Sequence, residues 1–319
     1  MYAGSVAVGP SGEVFTLNAS PKRIDVFAPD ANGLATPVRT ITGASTQLDG
    51  AVQIAVDSVG RAYVTISTDP GKVLAFAAGA SGDVAPVRVI TAAGMKYPEG
   101  IAVDSQFNIY VGTDTSPDSS FMVFSPTANG PSVPIRNLTN GLSAVDTEYV
   151  AVDLDGNIFV PDNDATRRNV YVFAPDASDT SPPTRTIHTS GIPTAVTTDC
   201  SGRLFVNFTN NSIAVYSTSA NGENPEPLEV ISGSNTTLSG VGAMSWRCDG
   251  TAFVTNYGAP LHGNYLGFST PYVAPVPTVT AASPTSGFTT AHKTMTIKGT
   301  AFMPNAIVTV GGKSCDSVH

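Results

Sequence analysis

The sequence predicts an all-β chain: a six-bladed β-propeller over residues 1–270, a Pro-rich linker over 271–276, and a truncated C-terminal immunoglobulin-like β-sandwich over 277–319. Three observations predict it. A small apolar segment recurs six times, starting at residues 5, 54, 101, 150, 196 and 244, so the spacing is 46 to 49 residues. Each copy leads into short β-branched and aromatic runs with period-two alternation and almost no helical periodicity, which is the pattern of strands. After Phe268 the text changes to the Pro-studded stretch Thr270-Pro271-Tyr272-Val273-Ala274-Pro275-Val276-Pro277, which reads as an extended linker. Four short strands in a unit of this length match one propeller blade.

Within each repeat the strands order themselves by character. The first is small and apolar, as in Ile54-Ala55-Val56-Asp57, Ile101-Ala102-Val103-Asp104 and Val150-Ala151-Val152-Asp153, and suits a crowded axis. A short turn that usually carries Gly follows (Gly12, Gly60, Gly156, Gly202, Gly250). The second strand then holds one aromatic in every copy: Phe15, Tyr63, Tyr110, Phe159, Phe205 and Phe253. The third closes on another, at Phe27, Phe76, Phe124, Phe173, Tyr216 and Phe268. A fourth run follows in five copies, reading Pro37-Val38-Arg39, Pro86-Val87-Arg88, Pro134-Ile135-Arg136, Pro183-Thr184-Arg185 and, diverged, Pro227-Leu228-Glu229. In the first four the Arg lies 12 residues after the closing aromatic, so loop length is held constant and a repeated three-dimensional unit is implied. Pro at the start of this run and an Arg within it predict a peripheral strand, with the Arg pointing outward to protect the edge. The sixth copy has no such run. It is expected to have three strands, or to borrow Thr278 to Thr280 as its fourth, in a natural chain longer at both ends.

Composition removes several functions. Charged residues are 13% of the 319 residues and hydrophobic ones 41%, so the chain can bury a large core and disorder is excluded. Sixteen Lys and Arg against 25 Asp and Glu give a net charge of −9, which repels phosphate backbones and anionic lipid. Nucleic acid is not an expected partner. Membrane insertion is not expected either, because no apolar run approaches the roughly 20 residues that span a bilayer, and no leader peptide opens this chain. Low charge and Thr/Ser-rich loops predict an extracellular or cell-surface protein, bacterial in origin and monomeric. The four histidines are scattered, and no Gly-x-Ser-x-Gly, His-Glu-x-x-His, Cys-x-x-Cys or phosphate-binding Gly loop is present.

The pattern Gly-Ile-Ala-Val-Asp, turn, Asn-Ile-Tyr-Val, best kept at Gly100 to Val111 and Tyr149 to Val160, resembles NHL repeats and the related gluconolactonase and senescence-marker propellers. The tail, with Ser283-Pro284-Thr285-Ser286-Gly287 and Ile297-Lys298-Gly299-Thr300-Ala301-Phe302, resembles the opening half of an IPT/TIG domain.

A propeller gathers the starts of its inner strands at one mouth of the central channel. The residue just before each is Ala3, Val52, Glu99, Glu148, Thr194 and Gly242, so two carboxylates from neighbouring repeats face one opening. Loops on the same rim add Asp114, Asp162, Asn163, Asn207, Asn256 and Tyr257. Carboxylate and amide oxygens without His or Cys suit a hard cation such as Ca²⁺. The gluconolactonase resemblance implies that residues at this position ligate a catalytic divalent metal. On that reading Glu99 and Glu148, with Asp162, Asn207 and Asn256, form the metal set of a lactone hydrolase. The favoured expectation is otherwise: a non-catalytic propeller without a cofactor, whose rim binds a protein or glycan. Asp153-Leu154-Asp155-Gly156-Asn157 resembles part of a calcium loop but occupies the position of a tight turn. Cys200 and Cys248 hold the same turn position in successive repeats, where either a disulfide or two small buried side chains would fit. Trp246 is expected between blades.

Overall fold

The computed structural model describes residues 3–114, 119–139, 148–256, 264–269, 278–283, 296–300, 309–310 and 313–314. The chain divides into two compact units, 1–270 and 271–319. The first unit is an all-β propeller. Blade 1 is built from Ala3–Val8, Val14–Ala19, Lys22–Phe27 and Arg39–Ile41, each antiparallel to the next. Blade 2 repeats this with Ala51–Val56, Ala62–Ile66, Lys72–Phe76 and Arg88–Thr91, and blade 3 with Pro98–Val103, Ile109–Thr113, Ser120–Phe124 and Arg136–Leu138. Blade 4 uses Ala151–Val152, Ile158–Asp162, Asn169–Phe173 and Arg185–His188, and blade 5 Pro193–Thr198, Arg203–Phe208, Ser212–Ser217 and Glu229–Ile231.

The sixth repeat differs. Val241–Trp246, Thr251–Asn256 and Asn264–Ser269 make a sheet of three strands. Complete blades therefore number five, not the six expected from the repeat count. The cause is local: after Phe268 the chain lacks the Pro-x-Arg run that forms the outer strand elsewhere. Thr278–Ser283 does not supply it, because that strand pairs with Thr296–Thr300 in the second unit. That unit adds one further pair, Thr309–Val310 with Lys313–Ser314, and all its described elements are strands. The expected linker, 271–276, lies outside the described residues, as do Cys315 and Tyr257.

The core is a series of layers between neighbouring sheets. Phe15, Leu17 and Ile24 of blade 1 pack on Ile54, Val64 and Phe76 of blade 2, and similar clusters fill each following interface. The second-strand aromatics are nearly or wholly buried from Phe15 to Phe205, each contributing about 2–3 kcal/mol of transfer free energy. The seam between the three-stranded sheet and blade 1 is thinner: its buried residues are Val6, Val14 and Ala243. Polar bonds reinforce it, with Val8 N–H donating to Ser245 Oγ at 3.0 Å.

The repeated Arg does not point outward. Arg88 lies 5.3 Å from the centroid of Tyr63 in its own blade and donates through Nη1 to the carbonyls of Pro126 and Ala128 in the next. Arg136 does the same over Tyr110, reaching Pro175 and Ala177. Arg185 reaches Thr218 and Ala220, and Arg39 lies over Phe15 and reaches Ala80. Edge protection comes instead from the following repeat's loop, which adds parallel pairing at Ile41–Gly82, Ile90–Gly130 and Ile187–Gly222. Each Arg thus clamps two repeats together, a role that residue type alone did not distinguish from solvent exposure.

The clamp extends inward. In blades 2 and 3 the tyrosine hydroxyl accepts from the Arg (Arg88 Nη2 at 2.8 Å, Arg136 Nη2 at 3.3 Å) and donates to the turn aspartate, Tyr63 to Asp57 at 3.0 Å and Tyr110 to Asp104 at 3.1 Å. The turn aspartates also accept backbone N–H groups two and four residues on, at Asp57, Asp104, Asp153 and Asp199 alike. Residues 153–157 are therefore the same turn as their counterparts. The three-stranded sheet has Arg247 where blades 2 to 5 have this Asp and blade 1 has Gly9. Its guanidinium lies 4.8 Å from the Phe253 centroid and donates to the carbonyls of Gly12 and Pro29 in blade 1. The clamp carbonyl at Pro29 occupies the position of Pro126 and Pro175, two residues after the closing aromatic.

Charge-assisted hydrogen bonds contribute about 1.5–3 kcal/mol and a partly exposed cation on a ring about 0.5–1 kcal/mol. Arg247→Ala is accordingly expected to cost about 2 kcal/mol in urea unfolding, whereas Lys72→Ala, on a half-buried side chain whose ammonium donates to Gln47 on the same blade, stays within about 0.5 kcal/mol. Equal effects of the two would remove the clamp as a closing device. Burial, and then the Asp104 carboxylate, push the Tyr110 hydroxyl up to about 12. The folded chain keeps that proton above the unfolded value of about 10, so stability is lost as pH rises from about 10 through 12. Tyr110→Phe should flatten the fall in urea midpoint across that window; an unchanged slope would assign it to other groups.

Candidate binding site at the channel mouth

The inner strands of all six sheets line one central channel of about 210 Å³, with Ser5, Gln53, Ile101, Tyr149, Thr197 and Met244 among its wall residues. Among the described residues no charged side chain lines it. Charge sits at the mouth, and the backbone there has a recurring irregularity. The pairing of inner and second strand slips by one residue near the start of the inner strand in blades 1, 2, 3 and 5 and in the three-stranded sheet. A bulge of this kind re-aims the side chain it carries. Val52, Thr194 and the Glu99-Gly100 pair fall within these bulges.

Glu99 is half-buried and held by blade 2: Thr65 Oγ1 donates to its carbonyl at 3.1 Å and Ser67 Oγ to its Oε1 at 3.3 Å. Glu148 is exposed, and Gln53 of blade 2 donates through Nε2 to its carbonyl at 2.6 Å. The Gln53 N–H also donates to Thr65 Oγ1 at 3.2 Å. Blade 2 therefore ties both glutamates into one network. Sequence reasoning passed over Gln53, although the signal was present as an amide set among the small apolar residues of an inner strand.

The remaining rim residues are bound into the fold. Asp162 is fully buried. It accepts from Arg167 Nε at 2.6 Å and Nη2 at 3.0 Å, from Tyr171 Oη at 3.3 Å, and from the Asp164 N–H at 3.2 Å. The hydrogen bond to Asp162 raises the Arg167 guanidinium above its ordinary value. Asn256, also buried, accepts from the Ser239 N–H and donates to the Thr237 carbonyl. Asn207 donates to Thr194 Oγ1 and to the Val241 carbonyl and keeps a buried Oδ1 with no partner. Asp114 is half-buried and Asn163 exposed. A cation needs several open oxygens converging on one point. Here Asp162 and Asn256 are spent on neighbours, and among the described residues no three of His, Cys, Asp and Glu gather closely enough to hold a metal.

At the opposite end of the inner strands, Cys200 and Cys248 form a disulfide with Cα atoms 5.2 Å apart, closing a sequence separation of 48. Two inner strands converging on one axis bring their following turns this close. Beside it Trp246 stacks on Phe205 with ring centroids 3.6 Å apart, and Arg203 lies over both rings. Cross-linking a loop of this length confers about 2–4 kcal/mol. A reducing agent, or Cys200→Ser, should lower the urea unfolding free energy by that amount; no change would show the bridge to be energetically idle.

Residues 277–319 match the IPT/TIG domain family. No curated protein sequence matches the chain. Among solved structures the WD40 β-propeller domain of Doa1 superposes with a TM-score of 0.55 at 14% identity, covering 79% of this chain and 75% of that one. At that identity the likeness concerns the fold alone. The chain is therefore a β-propeller joined to an IPT/TIG domain, and among its described residues no helix is long and apolar enough to cross a membrane.

Proposed function

We propose that this chain is a non-catalytic, extracellular binding module whose propeller rim engages a protein or glycan, with the IPT/TIG domain as its spacer or anchor. The observation that carries the proposal is the pairing of an IPT/TIG domain with a cross-clamped propeller in one chain, since IPT/TIG domains are common in extracellular proteins. The disulfide supports the compartment, because such bridges persist under oxidising conditions. The rim supports the mode of action: its buried polar groups hold the scaffold, while Glu148, Asn163 and other exposed side chains remain at the surface. Rigid rims of this kind bind without paying a large ordering cost.

A second reading follows from Glu99 and Glu148 sharing one hydrogen-bonded network at the channel mouth. It is the divalent-metal lactone hydrolase of the gluconolactonase type, on an NHL-like propeller. Calorimetry with Ca²⁺ and Zn²⁺ separates the two. The binding-module reading expects no heat that Glu99→Ala abolishes, and a saturable signal on an array of glycans and extracellular proteins. Glu99-dependent metal binding with turnover of a lactone panel would replace it by the hydrolase, and an array without any saturable signal would remove the binding module.

A further inference from the structure

In blade 4 the second and third strands are joined by six residues, Asn163 to Arg168, the same length as Asp114 to Ser119 in blade 3 and longer than Ser20 and Pro21 in blade 1 or Thr209 to Asn211 in blade 5. This loop stands beside the end of the outer strand, His188 to Ser190, and beside the residues Glu223 and Asn224 that the blade 5 loop lays against that strand. Together they line an open depression of about 650 Å³ at the outer rim. It opens at the same end of the propeller as the channel mouth, because Asn169 begins the third strand opposite His188.

The lining is polar throughout and unusually basic for this chain. Three of its nine residues, Arg167, Arg168 and His188, are basic, against 16 Lys and Arg and four His in 319 residues overall. Arg167 is committed to Asp162 and Asp164. The Asp164 carboxyl is held down at about 2 by hydrogen bonds from the Thr166 side chain and from backbone N–H groups. Arg168 is exposed, and its Nε and Nη1 donate to the carbonyls of Ala165 and Ser190. These bonds orient the guanidinium. His188 Nε2 lies 3.3 Å from Glu223 Oε1. Two non-glycine residues of this lining are in the left-handed region, Arg168 at φ 51° and Asn224 at φ 43°. Both are fixed by backbone bonds, from Thr189 N–H to the Arg168 carbonyl and from the Asn224 N–H to the His188 carbonyl. Such conformations persist where the surroundings over-determine them.

We infer that this depression binds an acidic saccharide, with the sugar carboxylate on Arg168 and its hydroxyls on Glu223, Asn224, Thr166 and Ser190. A guanidinium fork matches a carboxylate in geometry and charge. Carboxylate, amide and hydroxyl side chains in a wall that holds no large hydrophobic side chain match vicinal hydroxyl groups, whereas a protein partner would want an apolar anchor. The inference rests on the binding-module reading and names the ligand class of its rim.

The test is calorimetry on the whole chain with trigalacturonate, with sialyllactose as a second carboxylate sugar and galactotriose as the neutral control. Binding of at least one acidic sugar is expected, with the neutral one silent at the same millimolar concentration. Arg168→Ala should weaken it about tenfold or more, the equivalent of one charge-assisted contact. Lys72→Ala, which removes a positive charge on another blade, should leave it unchanged. Silence of both acidic sugars, equal binding of the neutral one, or indifference to Arg168→Ala would overturn the inference. An array signal from other ligands, with both acidic sugars silent, would overturn it while leaving the binding-module reading intact.

Discussion

The structure depends on a guanidinium that lies on an aromatic ring of its own repeat and donates to carbonyls of the next. Apart from short parallel pairings at the outer edge, neighbouring sheets in this propeller meet through side chains. Apolar layers fill the space between them but have no direction and tolerate sliding. The arginines add direction: each needs a ring below it and carbonyls at a set distance beyond, so it fixes the angle and the height of one sheet against the next. The constant loop length between closing aromatic and Arg is the sequence trace of that requirement.

The last two repeats keep the cation on its ring with different residues. Blade 5 has Glu229 where the others carry the outer-strand Arg, and Arg203 from the turn lies over Phe205 instead. The three-stranded sheet has no outer strand among its described residues, and Arg247 stands where blades 2 to 5 carry the turn aspartate. Both exchanges keep a cation on the second-strand ring. Around the seam that Arg247 crosses, the apolar layer is thin and the disulfide lies one interface away. Directional bonds are concentrated where burial is weakest.

Function is placed on this scaffold by departures from the repeat. The inner-strand bulge recurs, so the mouth has a common backbone shape, and its chemistry varies with the residue each repeat puts there: Val52, Glu99 or Thr194. Blade 4 differs by a short inner strand, a buried Asp162 paired with Arg167, and the open depression that its Asn163 to Arg168 loop lines. A rigid frame with locally varied rims separates stability from recognition, and a change in one rim loop need not disturb the clamps.

Much of the fold was legible from one sequence because repetition supplies its own comparison. Strand order, the aromatic positions, the Asp turns and the missing outer strand of the sixth repeat all follow from periodicity, which local backbone preference and burial on a pleated surface enforce. What the amino acids could not disclose by themselves is where long polar side chains end. Arg88 looks the same in sequence whether it faces water or crosses to Pro126, and Asp162 looks like a ligand until Arg167 is seen closing on it. Gln53 and Glu148 are 95 residues apart and meet only because the ring curves. Periodicity is a property of neighbours along the chain, so it determined the blades; pairing of charges and hydrogen bonds is a property of neighbours in space, so the tertiary structure alone decided the site.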